Sequence, residues 1–376
     1  MARKRRGNGE GSIYQRKDGR YVASISLGHR KRKYIYGETR HEVQEKLKVV
    51  LREQQQGTLV TAPQQSVKQF LERWVEQACK PTVRIMTYVQ YRSVINHHLV
   101  PGLGHVTLQK LTPEMLRAFY REKLDQGLKP PTVGAIHKVL RRALRDAVAD
   151  GAVARNVASL VKAPRIESRE AQTLTVKEAE RLLEAARDSS LDALLMLALT
   201  TGMRRGELLA LRWSDVDLVQ GSIFIRRTMT RVAGYGLVEN EAKTKSSRRR
   251  ITLSSVAIEA LQRHQAQQEQ IKLAVGSSWQ DKKIVFCDKD GGLLCPTKMV
   301  RWYDKLLKQI GLPHMHFHDL RHSVATILLA AGVHPKKVQE LLGHSSITIT
   351  MDVYSHVLLP MQQDVADKMD DLFKHS

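Results

Sequence analysis

The stretch Thr200–Trp213, TTGMRRGELLALRW, decides how the rest of the chain is read. Gly202 ends the apolar helix predicted over LDALLMLALTTG, and the chain restarts as a helix with Arg204 and Arg205 in its first turn. Cations there oppose the helix dipole, so the arrangement suits a segment that meets an anion. Glu207, three residues after Arg204, falls on the same helical face and can hold that guanidinium. The reading is therefore a helical segment built to receive a negative charge.

Charge along the chain points to the same partner chemistry. The 376 residues carry 61 Lys and Arg against 38 Asp and Glu, and the excess is uneven. Residues 1–165 hold 32 basic and 13 acidic side chains, whereas residues 166–376 hold 29 and 25. A cationic half joined to a nearly balanced half suggests nucleic-acid contact by the first and a different task for the second. This length implies two or three domains. Three cysteines (Cys79, Cys287 and Cys295) without paired spacing argue against a disulfide framework or a zinc site and read as reduced thiols. No apolar run approaches the ~20 residues of a membrane span. The N-terminal MARKRR has no apolar segment behind it and is not a secretory signal. The expected location is a cytoplasm containing DNA, in association with the nucleoid.

Periodicity divides the chain into three pieces. Residues 1–56 read as a three-stranded sheet (SIYQ, YVASISL, KYIYG) followed by a helix with Thr39 as cap and Glu42 completing a capping box. The open face of that sheet is expected to carry Tyr14, Arg20, Arg30, Arg32 and Lys33, a cationic ribbon suited to a DNA groove. Residues 57–66 form a linker, and residues 67–163 read as helices throughout, with Val67, Phe70, Leu71, Trp74 and Val75 on one face. Outward basic residues of this bundle, Arg141 and Arg142 among them, are candidate phosphate contacts. A second linker, 164–173, leads into a mixed segment, 174–376, with helices, the strands SIFIRRT and RRRITL, and more helices.

The last segment holds the chemistry. HDLRH places His318 and Arg321 three apart on a helical first turn, so they face one way. HPKKVQELLGH ends a helix at Gly343 and presents His344 just beyond it, and Tyr354 follows ten residues later. Two arginines can clamp the non-bridging oxygens of a phosphodiester, supplying charge that a metal pair supplies elsewhere, and the acidic residues show no cluster for such metals. A tyrosine nucleophile, of pKa about 10, needs cations and a base beside it. The leaving 5′-hydroxyl needs a proton, which a lysine in EAKTKSSRRRITL, Lys243 or Lys245, can give.

TGMRRGELLAL, KTKSSRRRITL, HDLRH and LGHSSITITMDVYSHV, in that order, resemble the tyrosine recombinases of the phage and conjugative-transposon integrase branch. The resemblance spans nearly the whole chain. It implies a multidomain fold, mainly α with small β-sheets: an α+β N-terminal arm-binding domain, an all-α core-binding bundle, and a mixed, mainly-α catalytic domain of the tyrosine recombinase type. Position by position, Arg204 and Arg321 are similar to the clamping arginines, His318 to the acid/base histidine, Lys243 to the general acid, His344 to the second histidine and Tyr354 to the nucleophile. Glu207 is similar to the acidic residue that supports the first arginine. Arg205 neighbours Arg204, but the T-G-x-R spacing selects the latter; among His314, His316, His318, His322 and His356 only His318 has the H-x-x-R spacing.

The function so implied is site-specific recombination through a 3′-phosphotyrosine, needing neither cofactor nor metal. Its partners are double-stranded DNA at core and arm-type sites, three further copies in a homotetramer, and accessory DNA-bending or directionality proteins, with no membrane. The tail from Val357 onward carries an apolar stripe (Leu358, Met361, Val365, Met369, Leu372) expected to dock on a neighbouring protomer. A type IB topoisomerase resembles the same site, and a non-catalytic DNA-binding relative is the third reading. The arm-like residues 1–56 favour integration.

Overall fold

The computed structural model describes residues 11–26, 32–55, 62–165, 172–241, 248–351 and Phe373. The chain divides into two compact units, Met1–Ser168 and Arg169–Ser376.

The first unit opens with the antiparallel sheet β1 (Ser12–Gln15), β2 (Tyr21–Ser26) and β3 (Arg32–Gly37), in that spatial order, and the helix α1 (Arg40–Gln55). Ala23 and Ile25 pack on Val43 and Leu47 of α1, a small core of its own. Thr39 accepts from the Glu42 amide (3.2 Å), but the Glu42 carboxylate takes the amide of Glu38 (2.9 Å), so the reciprocal bond reaches one residue earlier than a capping box expects. The register corrects the expected open face. Tyr14, Val22 and Tyr36 share one row, and Ser26 pairs with Arg32, so Tyr14, Tyr34, Tyr36 and Arg32 lie on the open side. Lys33 pairs with Ile25 and so belongs to the helix-covered face, because cross-strand partners point the same way. Arg20 is exposed just before β2, and Arg30 lies outside the described residues.

Helices fill the remainder of this unit: α2 (Val67–Arg73), α3 (Ile85–Val94), α4 (Val100–Leu103), α5 (Pro113–Asp125) and α6 (Pro130–Ala149). Ser66 and Gln69 form a capping box at α2, and Thr112 caps α5 through the Met115 amide. Two helical stretches widen to π-turns, Trp74–Cys79 and Ile95–Leu99. The predicted apolar face of Val67, Phe70, Leu71, Trp74 and Val75 is buried against Leu140 and Leu144 of α6 and their neighbours. Trp74 donates to Asp146 (2.9 Å) and stacks on Tyr91. Arg142 does not point freely outward as expected. Its guanidinium bonds the Tyr91 hydroxyl (3.2 Å) and lies over that ring, whereas Arg141 is exposed.

The second unit is built around α8 (Asp192–Thr201), which meets α7 (Val176–Ala186), α9 (Arg205–Leu209), α10 (Ser255–Val275) and α12 (Asp319–Ala330). Leu194, Leu195 and Leu197 are fully buried, which explains an apolar run without one-sided periodicity. A sheet of β4 (Val216–Asp217), β5 (Ser222–Ile225) and β8 (Arg249–Thr252) flanks it, and β6 (Arg227–Val232) with β7 (Gly236–Glu241) makes a separate hairpin. The expected single strand SIFIRRT is thus two strands in two sheets. Arg226 and Arg227 both bond the buried Asp215 (3.4 and 2.7 Å), which anchors the chain where it leaves one sheet for the other. The helix expected through Trp213 stops at Leu209. The helices α11 (Pro296–Gln309) and α13 (Pro335–Leu342) complete the unit.

Leu194→Ala should lower unfolding free energy by about 2–5 kcal/mol, the range for a large-to-small core change. Urea titration of the whole chain reads this as a lower midpoint at unchanged slope; a wild-type midpoint would show that the α8 core does not carry the unit.

Candidate active site

Four helix ends and one strand build the site. The α8 helix ends at Gly202 in the left-handed region (φ 62°), and its carbonyl accepts from Arg321 Nη1 at 2.8 Å. The α13 helix ends the same way at Gly343 (φ 65°), and that carbonyl accepts from Arg204 Nη2 at 3.1 Å. Left-handed caps favour glycine because it has no Cβ to clash. An added Cβ at Gly202 would also overlap the Leu342 side chain, so the ends of α8 and α13 approach closely here.

Arg204 sits at the start of α9, and its Nη1 bonds Glu207 Oε1 at 2.8 Å. Glu207 returns the contact by accepting from the Arg204 amide at 3.0 Å. The other side of the carboxylate belongs to Arg249 on β8, through Nη1 at 3.2 Å and Nη2 at 3.0 Å. Burial works to raise the Glu207 carboxyl, but Arg249 and then Arg204 outweigh it and hold it below the usual range. Arg205 is exposed, in keeping with the selection of Arg204. No role is assigned to Arg249 by sequence reasoning. The signal was present, because β alternation puts Arg249 on the same face as the buried Ile251.

Arg321 is 4% exposed on the first turn of α12, and its Nη2 has no acceptor among the described residues. Burial, then the like charge of Arg204, pushes its pKa down to about 9. His318 precedes it at the helix start and meets His322 edge-on at 5.5 Å between ring centres. Burial, then His322, Arg321 and Arg204, lowers the His318 pKa. His344 is buried, its Nδ1 2.9 Å from the Thr350 hydroxyl. Burial, then Arg321 and Arg204, pushes it down to about 4. Arg204, Glu207, His318, Arg321 and His344 therefore gather in one place, joined by Arg249. Lys243, Lys245, His356, Tyr354 and the tail stripe lie outside the described residues. Tyr303 is fully buried against Phe317, with its phenol pushed up by burial and by Asp319 and Asp304, unsuited to attack.

Folded His344 takes a proton only near pH 4, whereas an unfolded histidine does so at about 6.5. Its contribution to stability is complete above about pH 6.5 and is lost as the pH falls toward 4; His318 and His322 act in the same direction. Thermal melts across this window should show a falling Tm, and His344→Gln should flatten the slope. An unchanged slope would mean His344 is not held neutral.

Comparison with known proteins agrees with this geometry. Residues 172–359 match the phage integrase family, and residues 66–124 match the phage integrase N-terminal SAM-like domain. An integrase of Streptomyces ambofaciens is 31% identical over 99% of this chain and 98% of its own length. A tyrosine recombinase XerC-like protein of Caldanaerobacter subterraneus subsp. tengcongensis is 28% identical over 94% of this chain and 96% of its own. The Tn1549 transposon integrase, solved in complex with transposon right end DNA, shares the fold with a TM-score of 0.69 at 20% identity, over 82% of this chain and 100% of that one. Mainly helical units with small antiparallel sheets, the clustered arginines and these matches lead to one conclusion: the chain belongs to the phage integrase family of tyrosine recombinases and is a site-specific DNA recombinase of a mobile element.

Proposed function

We propose that the chain cleaves and rejoins double-stranded DNA by transesterification at Tyr354, with Arg204 and Arg321 clamping the scissile phosphate. The observation that carries this reading is the buried, charged Arg321, whose Nη2 lacks an acceptor among the described residues and which lies near enough to Arg204 for the two charges to repel. A buried cationic donor left without an acceptor calls for an anion, and a phosphodiester oxygen fits both arginines. The Tyr354 oxygen attacks phosphorus as the bond to the 5′-oxygen breaks, leaving a 3′-phosphotyrosine and a free 5′-hydroxyl. His318, kept neutral, takes the phenol proton, and Lys243 or Lys245 protonates the departing oxygen. His344, neutral above about pH 4, adds a hydrogen bond to the phosphate without adding charge. Reversal with a different 5′-hydroxyl exchanges the strands, and the phosphotyrosine conserves the bond energy, so the chemistry calls for no metal or nucleotide.

Three domains divide this work: residues 1–56 reading arm-type sites, 67–163 gripping the core site, and 174–376 catalysing. Exchange between two duplexes involves four cleaved strands and so four protomers. The open sheet face with Tyr14, Tyr34, Tyr36 and Arg32 supports the first assignment, and the DNA-bound Tn1549 integrase supports DNA as partner. DNA-bending or directionality proteins belong to the same reading.

Tyr354→Phe should keep DNA binding within a factor of a few and form no covalent adduct on a nicked suicide substrate. An adduct formed by the phenylalanine variant would remove Tyr354 as nucleophile. Deleting residues 1–56 should preserve binding and cleavage at a core site but abolish binding to arm-type sites. It should also reduce the salt dependence on full sites, since 15 basic residues leave with that segment. Retained arm binding by the shortened protein would overturn the assignment.

A further inference from the structure

We propose that Arg249 is a positioning residue that balances the charge of Glu207, so that Arg204 keeps its positive field for the phosphate. The inference rests on the phosphate-clamp reading above.

Glu207 is 5% exposed and lies between two guanidiniums. If Arg204 were its sole partner, the two charges would cancel, and Arg321 alone would face the phosphate with undiminished charge. Arg249 changes that balance. It engages both carboxylate oxygens in a fork, its side chain is 8% exposed, and its Nε is committed to the Leu341 carbonyl at 2.8 Å. With all three arms of its guanidinium engaged within the protein, Arg249 is not placed to bind substrate itself. The formal charges of Arg204, Arg321, Arg249 and Glu207 then leave an excess of two positives, equal to two uncompensated clamping arginines. Glu207 can hold Arg204 in place without cancelling it.

Arg249 also sets geometry. Leu341 is in the last turn of α13, two residues before the Gly343 carbonyl that receives Arg204 and three before His344. Strand β8, the start of α9 and the end of α13 therefore meet at one guanidinium. Lysine cannot copy this, because an ammonium lacks the planar fork that reaches two carboxylate oxygens and a carbonyl together.

The test compares cleavage of a phosphodiester with cleavage of a methylphosphonate at the scissile position. The methylphosphonate transition state carries one fewer negative charge and depends less on cations. Arg249→Met should slow phosphodiester cleavage about 10- to 100-fold, with DNA affinity within a factor of about three, as for losing one source of transition-state charge stabilisation. The defect on the methylphosphonate should shrink to about threefold or less. Glu207→Gln combined with Arg249→Met removes both charges, restores the excess of two, and should recover most of the lost rate. Equal defects on both substrates, or a double variant as slow as Arg249→Met, would overturn the proposal, and so would a single variant with wild-type rates. If Arg249→Met melts below the assay temperature, the double variant, free of a buried carboxylate short of one partner, carries the comparison. A wild-type chain that formed no Tyr354-dependent adduct would instead defeat the phosphate-clamp reading, a separate outcome from failure of the Arg249 comparison.

Discussion

The catalytic unit depends on one buried carboxylate. An isolated ionised Glu207 at 5% exposure would cost several kcal/mol in desolvation. Its partners therefore have to arrive together: Arg204 from the start of α9 and Arg249 from β8, with the Arg204 amide completing the set. Because Arg249 also holds the Leu341 carbonyl, satisfying this carboxylate fixes the end of α13 and hence the entry to His344. Removal of either arginine leaves a buried charge short of a partner, so these segments are conditionally stable on each other.

Two glycine caps complete the geometry. A helix end has carbonyls with no partner of its own, and here Gly202 and Gly343 offer theirs to the two arginines. The left-handed turn at each glycine ends the helix, and at Gly202 the missing Cβ also makes room for Leu342. Carbonyls orient the guanidiniums as a second carboxylate could, but without a full negative charge. The arginines are held in place and remain cationic.

Much of this was legible in the sequence because it is local. The face from Val67 to Val75 is buried, and the T-G-x-R and H-x-x-R spacings place Arg204, His318 and Arg321 at helix starts. What escaped depends on partners distant in sequence. The break between β5 and β6 follows from Asp215 drawing in Arg226 and Arg227, which no local propensity reports. Lys33 was assigned by composition to a face that only the register with Ile25 decides. Arg142 appeared to be an outward cation until the Tyr91 hydroxyl engaged it. Arg249 stood in a run of three arginines and was passed over, although strand alternation anchored by Ile251 was a signal that distinguishes it.

The charge pattern around the site also disfavours protonation of its histidines. Burial and the neighbouring arginines press His318 and His344 toward their uncharged forms, and Arg321 itself is under pressure from Arg204. A second acidic residue here would relieve that repulsion and stabilise the free protein. On the phosphate-clamp proposal it would also cancel the field that a developing phosphorane needs, because preorganised charge assists only while it remains unneutralised in the ground state. On the proposed phosphate-clamp reading the surplus is kept, at a cost to stability of the kind that functional sites carry, and a bound phosphate would offset it. Stability and activity pull in opposite directions at Arg321, whereas at Glu207 the two-arginine arrangement lets one carboxylate serve both.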